Sequence, residues 1–177
     1  MDCFEIREAL DTFAVIADKR EQNTARAAER FAALGDPVRA TLDYGDYCGQ
    51  ITLPDGGQLY DESERIYPRC VVERKMSLDE LAANFTRGRD RFKREFERAT
   101  EKGAKVFLLV EGFSWEVVFN HRYRSKYNPA AFEASILAWL ARYDVTLLSC
   151  KPGTSGRLIK SVLFRDMKER LERGEFG

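Results

Sequence analysis

Hydrophobic residues recur at two different spacings along the 177-residue chain and predict alternating strands and helices. Strands are predicted at 13–21, 37–47, 69–75, 105–112 and 144–150, with a hairpin over 50–60. Helices are predicted at 23–35, directly after Ser77, and at 87–101, 129–142 and 157–173. Strands that alternate with helices after residue 69 predict an α/β sandwich with a mixed central sheet flanked by helices.

The predicted helices carry residues suited to their ends. Thr24 is a candidate N-cap of the first helix, and Gly35 a candidate left-handed C-cap. Ser77 is followed three residues later by a glutamate, which is the spacing of a capping box. Asn128 precedes a proline and predicts the start of the helix 129–142.

Composition and charge exclude several classes of function. The chain has 29 basic and 29 acidic residues, so any basic surface must be local. No apolar run approaches the roughly 20 residues that cross a bilayer, and we expect a soluble, cytoplasmic protein with no membrane partner. The cysteines lie at positions 3, 48, 70 and 150 without metal-ligand spacing, and His121 is the single histidine. Zinc chemistry and a histidine-activated nucleophile are therefore not expected.

Charged residues end the predicted strands, where open α/β sheets place their ligands. Asp18 ends the first strand, Asp46 ends the second, and Glu73 and Lys75 end the strand 69–75. Residues i and i+2 of a strand point to one face, so Glu73 and Lys75 can share a cleft. Grouped carboxylates repel each other unless a cation lies between them, and their oxygens suit Mg²⁺ or Mn²⁺.

This pattern favours phosphodiester hydrolysis, with Asp18, Asp46 and Glu73 as candidate metal ligands. Such a metal stabilises charge on the phosphodiester, and a lysine can hold the attacking water or neutralise that charge. A solvated salt-bridge cluster is the alternative interpretation, because mixed charges at strand ends are common on protein surfaces.

Two segments, "YGDY" (44–47) and "VVERKMSLDEL" (71–81), resemble the GD…ERKxxxD signature of the XPF-type structure-specific endonucleases. Asp46 matches the acid of the first half, and Glu73-Arg74-Lys75 with Asp79 match the second.

Further segments resemble the same family in the same order. "ADKRE" (17–21) is similar to its first-strand element, and "TRGRDRFKREF" (86–96) to its glycine-arginine segment. The segment 123–145 is similar to phage and prophage members especially. The resemblance covers roughly residues 13–165.

The resemblance implies a restriction-endonuclease-like nuclease fold of the PD-(D/E)xK type. It also implies Mg²⁺- or Mn²⁺-dependent cleavage of DNA near junctions, flaps or forks, as in repair or recombination. The implied catalytic residues are Asp46, Glu73, Lys75, Asp18 and Arg74, with Glu21 and Asp79 in support of the site. Because Arg74, Arg89 and Arg91 flank the proposed cleft, we predict that they bind DNA phosphates. A non-catalytic nuclease-like module that binds DNA or a partner subunit is the alternative, although the signature acids favour an active enzyme.

The chain departs from the family pattern in its organisation. We expect one nuclease domain over 1–177, with an inserted hairpin in 50–69 and no helix-hairpin-helix tail. Because that tail usually supplies DNA binding and dimerisation, we expect a homodimer through the C-terminal half. The candidate contact residues are Phe132, Ile136, Trp139, Leu140 and Phe164, and the alternative is that they belong to the core.

Two basic segments leave their roles open. Arginines at 87, 91, 94 and 98 form one stripe of a helix, which either contacts DNA phosphates or is a solvated face. "NHRYRSKYNP" (120–129) interleaves basic and aromatic residues, which suits single-stranded or distorted nucleic acid. An ordinary surface loop is the alternative.

Overall fold

The computed structural model describes residues 1–22 and 24–175, and a seven-stranded mixed sheet forms its centre. The strands are β1 (Ala14–Asp18), β2 (Val38–Leu42), β3 (Tyr47–Gln50), β4 (Arg65–Ile66), β5 (Cys70–Lys75), β6 (Lys105–Glu111) and β7 (Thr146–Cys150). Their order is β4-β2-β1-β3-β5-β6-β7. β3 runs antiparallel to its neighbours β1 and β5, and the other pairs are parallel. The last residues of β1, β2, β5 and β6 and the first residue of β3 therefore meet at one end of the sheet.

Helices cover both faces of this sheet. The helices are α1 (Cys3–Asp11), α2 (Ala25–Leu34), α3 (Leu78–Phe85), α4 (Arg89–Glu101), α5 (Trp115–Phe119), α6 (Pro129–Tyr143) and α7 (Ser155–Glu172). α2 and α7 pack on one face, with α1 against α7, and α3, α4 and α6 pack on the other. No helix in the described ranges is long and apolar enough to cross a bilayer. The predicted α/β sandwich with a mixed sheet is confirmed.

Local capping chemistry sets the helix boundaries as the sequence predicts. The side chains of Thr24, Ser77 and Asn128 each accept a backbone N–H from the first turn of α2, α3 and α6. Gly35 ends α2 in the left-handed conformation, with φ of 87°. Asn23, at the start of the first predicted helix, lies outside the described residues.

The chain between β2 and β5 differs from the prediction. The strand expected over 37–47 stops at Leu42, because Gly45 adopts a φ of 73° that turns the chain back into β3. The expected hairpin contains a single bridge between Thr52 and Gln58. The rest of the 50–69 segment supplies β4, a short strand beside β2. α1 and α5 are additional helices that were not predicted.

The apolar residues proposed for a dimer contact lie mainly in the core. Phe132 and Ile136 are 0% exposed and Trp139 is 1% exposed. Phe164 is partly buried and packs edge-on against Phe13, with 5.2 Å between ring centroids. The structure therefore favours the core interpretation of these residues, because they fill the space between the helices and the sheet.

Candidate active site at the end of the sheet

Strand directions bring Asp46, Glu73 and Lys75 into one cleft. Tyr47, the first residue of β3, pairs with Val72 of the antiparallel β5, and the Asp46 N–H donates to the Val72 carbonyl at 2.9 Å. Asp46 therefore lies directly before β3. The prediction that Asp46 ends the second strand was wrong, because that strand stops at Leu42. The cleft has a volume of about 350 Å³. Its lining also includes Arg20, Glu21, Arg30, Arg74, Arg91 and Glu95.

Glu73 and Lys75 form a buried ion pair. Their exposed fractions are 3% and 7%, and Lys75 Nζ lies 2.5 Å from Glu73 Oε1. The other oxygen, Glu73 Oε2, is buried without a hydrogen-bond partner among the described residues. Burial alone would lower the pKa of Lys75, but the carboxylates of Glu73 and Asp46 raise it above its usual value. Lys75 is therefore a fixed ammonium group.

Asp46 is positioned by the backbone of the neighbouring strand. Its Oδ2 accepts the Arg74 N–H at 2.7 Å. Burial, and then repulsion from Glu73, raises the pKa of Asp46 well above its ordinary value. Two carboxylates in this relation oppose each other's ionisation, and a cation between them removes the conflict.

A further carboxylate of the cleft, Glu95 of α4, was not among the predicted site residues. Its Oε1 accepts the Gly45 N–H at 3.2 Å, which ties α4 to the turn before Asp46. Burial, followed by repulsion from Glu73, raises the pKa of Glu95 to about 7. Its charge suggested a solvated helix face. The signal that could have identified Glu95 is its position next to buried Phe96. This position lies at the border of the apolar stripe of α4, which is formed by Phe92, Phe96 and Ala99.

Asp18 does not line the cleft in this arrangement. It is 1% exposed, and its Oδ1 accepts the backbone N–H of Arg20 at 2.7 Å and the Arg20 Nε at 2.6 Å. Its Oδ2 accepts the Leu42 N–H at 2.8 Å. Because both oxygens are engaged, the geometry assigns Asp18 to joining β1 and β2 and gives no support to the predicted metal role.

Two ion pairs brace the cleft from the α2 and α7 side. Arg74 donates from Nε to Glu111 Oε1 at 2.7 Å, and its side chain is 10% exposed. Glu21 pairs with Arg30 at 2.9 Å, and Arg30 donates to the Tyr47 hydroxyl at 2.8 Å. Glu21 thus contacts the start of β3 through Arg30, in keeping with a supporting role. Arg30 itself was not predicted.

The remaining predicted residues are divided between the cleft and its surroundings. Arg91 is exposed and lines the cleft, whereas Arg89 lies over the Trp139 ring at 5.2 Å. Asp79 accepts the backbone N–H groups of Arg124 and Ser125 at 2.8 and 2.7 Å. The hydrogen bonds of Asp79 therefore hold the 120–128 segment against α3.

The cleft fits a hard divalent cation by its chemistry. Among the described residues, no three acidic, histidine or cysteine side chains are close enough to form a complete ligand set. Mg²⁺, however, is commonly bound through one or two carboxylates and keeps several waters. Asp46 and Glu73 provide two such groups, and the unpaired Oε2 of Glu73 is a buried oxygen that a cation would satisfy. These two residues are the ones that would hold Mg²⁺ or Mn²⁺.

The fold and the acid–lysine cleft define a nuclease-type α/β domain. The family model of the ERCC4 domain matches residues 17–162, and the chain belongs to this family. The resemblance found in the sequence is thereby confirmed, and membership supports a DNA nuclease.

Solved structures of XPF share the fold of this chain. XPF from Aeropyrum pernix is similar with a TM-score of 0.60 and 22% identity, over 92% of this chain and 69% of that chain. A structure of XPF from the same organism in complex with DNA has a TM-score of 0.59 and 23% identity, over 89% of this chain and 66% of that chain. No protein of curated function matches the sequence.

Proposed function

We propose that the protein is a Mg²⁺- or Mn²⁺-dependent endodeoxyribonuclease that hydrolyses phosphodiester bonds at branched, flap or fork DNA. The observation that carries this proposal is the joint position of Asp46, Glu73 and Lys75 in one cleft. The family and the likeness to XPF support it. Affiliation with phage members and a role in repair or recombination stay predictions from the sequence.

Each cleft residue has a chemical role in this proposal. A divalent cation, when bound by Asp46 and Glu73, supplies positive charge to the phosphodiester and an acidified water. Lys75 is held beside Glu73 as an ammonium, so it donates hydrogen bonds from a fixed position. It can orient the attacking water or neutralise charge that develops on the phosphate. Its raised pKa makes it a poor general base.

DNA contacts are proposed for Arg74, Arg89 and Arg91. Arg91 is the best placed, because it is exposed at the cleft. The side chain of Arg74 pairs with Glu111. Its backbone N–H donates to Asp46, so Arg74 also contributes to the site by positioning that carboxylate.

Cleavage assays test the proposal. Labelled duplex, flap, fork and four-way junction DNA are incubated with Mg²⁺, Mn²⁺ or EDTA. We expect cleavage with either metal, none in EDTA, and faster cleavage of the branched substrates. Equal cleavage of plain duplex would remove the branch preference but leave the nuclease. Binding without cleavage would identify the alternative, a non-catalytic DNA-binding module.

Assembly through the C-terminal half as a homodimer also stays a proposal. The core position of Phe132, Ile136 and Trp139 removes them from its interface. Leu137, on the same helix, is 46% exposed and is available for a contact. Sedimentation at micromolar concentration tests the dimer, and a single species near the chain mass of 20.4 kDa would contradict it.

A further inference from the structure

A second, basic groove lies on the other side of α3 from the cleft. Glu80 of α3 lines the cleft, whereas Asp79, one residue earlier, lines this groove. The groove is formed by α3, the turn after it and the 120–128 segment, and its polar lining includes Asp79, Thr86, Arg87, Arg124, Lys126 and Tyr127. We call it the α3 groove. The nuclease chemistry of the cleft does not use it.

The 120–128 segment is held in a defined shape against α3. Asp79 accepts the N–H groups of Arg124 and Ser125 and pairs with Arg124 Nε at 3.2 Å. Burial would raise the pKa of Asp79, but these hydrogen bonds lower it, so the carboxylate is ionised. The Arg124 side chain is nonetheless 92% exposed. The segment therefore presents its cations to solvent from a fixed backbone.

The two tyrosines of the segment are turned to the core. Tyr123 and Tyr127 both pack against Phe132, with ring centroids 5.2 and 5.5 Å away. The Tyr123 hydroxyl donates to the Tyr127 carbonyl, and the Tyr127 hydroxyl is bonded to Ser135. Binding of single strands usually combines a cationic groove with aromatic rings on which bases stack. Because these rings are occupied, the groove offers cations without a stacking platform.

The charge of the α3 groove matches a phosphate backbone. Its lining holds Arg87, Arg124 and Lys126 against Asp79 as the acid, all within the described part of the chain. Arg87 and Lys126 are exposed, and neither forms an ion pair with another described residue. Cations without base-stacking groups bind the backbone of duplex DNA independently of sequence.

We propose that the α3 groove binds the sugar-phosphate backbone of a duplex arm of the substrate while the scissile strand occupies the cleft. The inference rests on the proposed nuclease function. It assigns to this chain its own means of holding a second part of a branched substrate.

The test compares two charge-matched triple variants. The first is Arg87→Ala/Arg124→Ala/Lys126→Ala in the groove. The second is Arg7→Ala/Arg157→Ala/Arg165→Ala, which removes three exposed cations from α1 and α7, away from α3. Binding of fork DNA, of single-stranded DNA and of duplexes lengthened from about 8 to about 24 base pairs is measured by fluorescence anisotropy in EDTA, over a series of salt concentrations.

We expect the groove variant to lower the log–log salt slope for fork and long duplex DNA by about 2 to 3, and to weaken their binding about tenfold or more at low salt. The groove variant should bind the shortest duplex with the affinity of wild type. The control variant should match wild type in affinity and salt slope for every DNA. Thermal melting checks folding. If the loss of the Arg124–Asp79 pair unfolds the triple variant, Arg87→Ala/Lys126→Ala provides the same test with an expected slope change of about 1 to 2.

Three results would overturn the proposal in different ways. An unchanged salt slope in the folded groove variant, with wild-type binding intact, means that the arm lies elsewhere and leaves the nuclease function standing. Weaker binding of single strands alone shows that the groove holds unpaired DNA. A wild-type protein that neither binds nor cleaves any DNA removes the proposed function itself.

Discussion

Replacement of Gly45 by alanine should strain the turn that carries Asp46. Gly45 has a φ of 73°, and a Cβ atom there would lie 2.6 Å from Val71 Cβ and 2.9 Å from Val71 Cγ2. The left-handed conformation costs an alanine about 1–2 kcal/mol. Overpacking against a β-branched core residue costs about 1–3 kcal/mol more. We therefore expect Gly45→Ala to destabilise the fold by about 2–5 kcal/mol, a large part of a typical total of about 5–15 kcal/mol.

Gly56→Ala is the control for the contact between the added Cβ atom and Val71, because Gly56 also has a positive φ. Gly56 has a φ of 84°, but a Cβ atom added there would meet no other atom of the described residues within 4 Å. We expect this variant to lose only the backbone contribution of about 1–2 kcal/mol. The difference between the two variants therefore measures the contact with Val71.

Urea denaturation followed by far-UV circular dichroism measures both free energies of unfolding. Val71→Ala should cost less in the Gly45→Ala background than in wild type, because it removes the Cγ atoms that lie 2.9 and 3.1 Å from the added Cβ, although Val71 Cβ itself remains. Cleavage by Gly45→Ala should fall further than its stability explains, since Gly45 precedes Asp46 and donates to Glu95. Equal destabilisation by Gly45→Ala and Gly56→Ala would refute the reasoning.

Other variants probe the remaining features of the cleft. Asp46→Asn should abolish cleavage and Mg²⁺ binding by calorimetry while the fold persists, because it removes a carboxylate that repels Glu73; full cleavage by this variant in Mg²⁺ would reject the metal assignment. Glu73→Ala should abolish both as well, but it should also lower stability, because the buried Lys75 ammonium loses its partner. Burial and then Glu73 raise the pKa of Glu95 from 4.5 to about 7, so the folded state binds its proton more tightly. Metal-free stability should therefore decline as the pH rises from about 4.5 to 7, by at most about 3 kcal/mol, and denaturation of Glu95→Gln at pH 5 and 8 should show a smaller decline than wild type. Arg91→Ala should weaken DNA binding equally across sequences and reduce the salt slope by about one, and an unchanged slope would place the phosphate contact elsewhere.

The sequence by itself determined the features that depend on neighbouring residues. Period-two alternation put Glu73 and Lys75 on one face of a strand, and their ion pair follows from that spacing. Capping residues set the starts of the helices because a cap bonds to backbone only a few positions away. The GD and ERK segments, read together, also indicated the family and its fold.

Tertiary structure decided which distant residues share the cleft. The reversal of β3 brought Asp46 to Glu73, and the backbone N–H of Leu42, 24 positions away, engaged Asp18. Glu95 reached Gly45 across 50 positions of sequence. Local periodicity states which way a side chain points from its own element, but it contains no information on which other element lies there. Strand order and helix packing settle that, because burial of the apolar faces determines how the elements assemble.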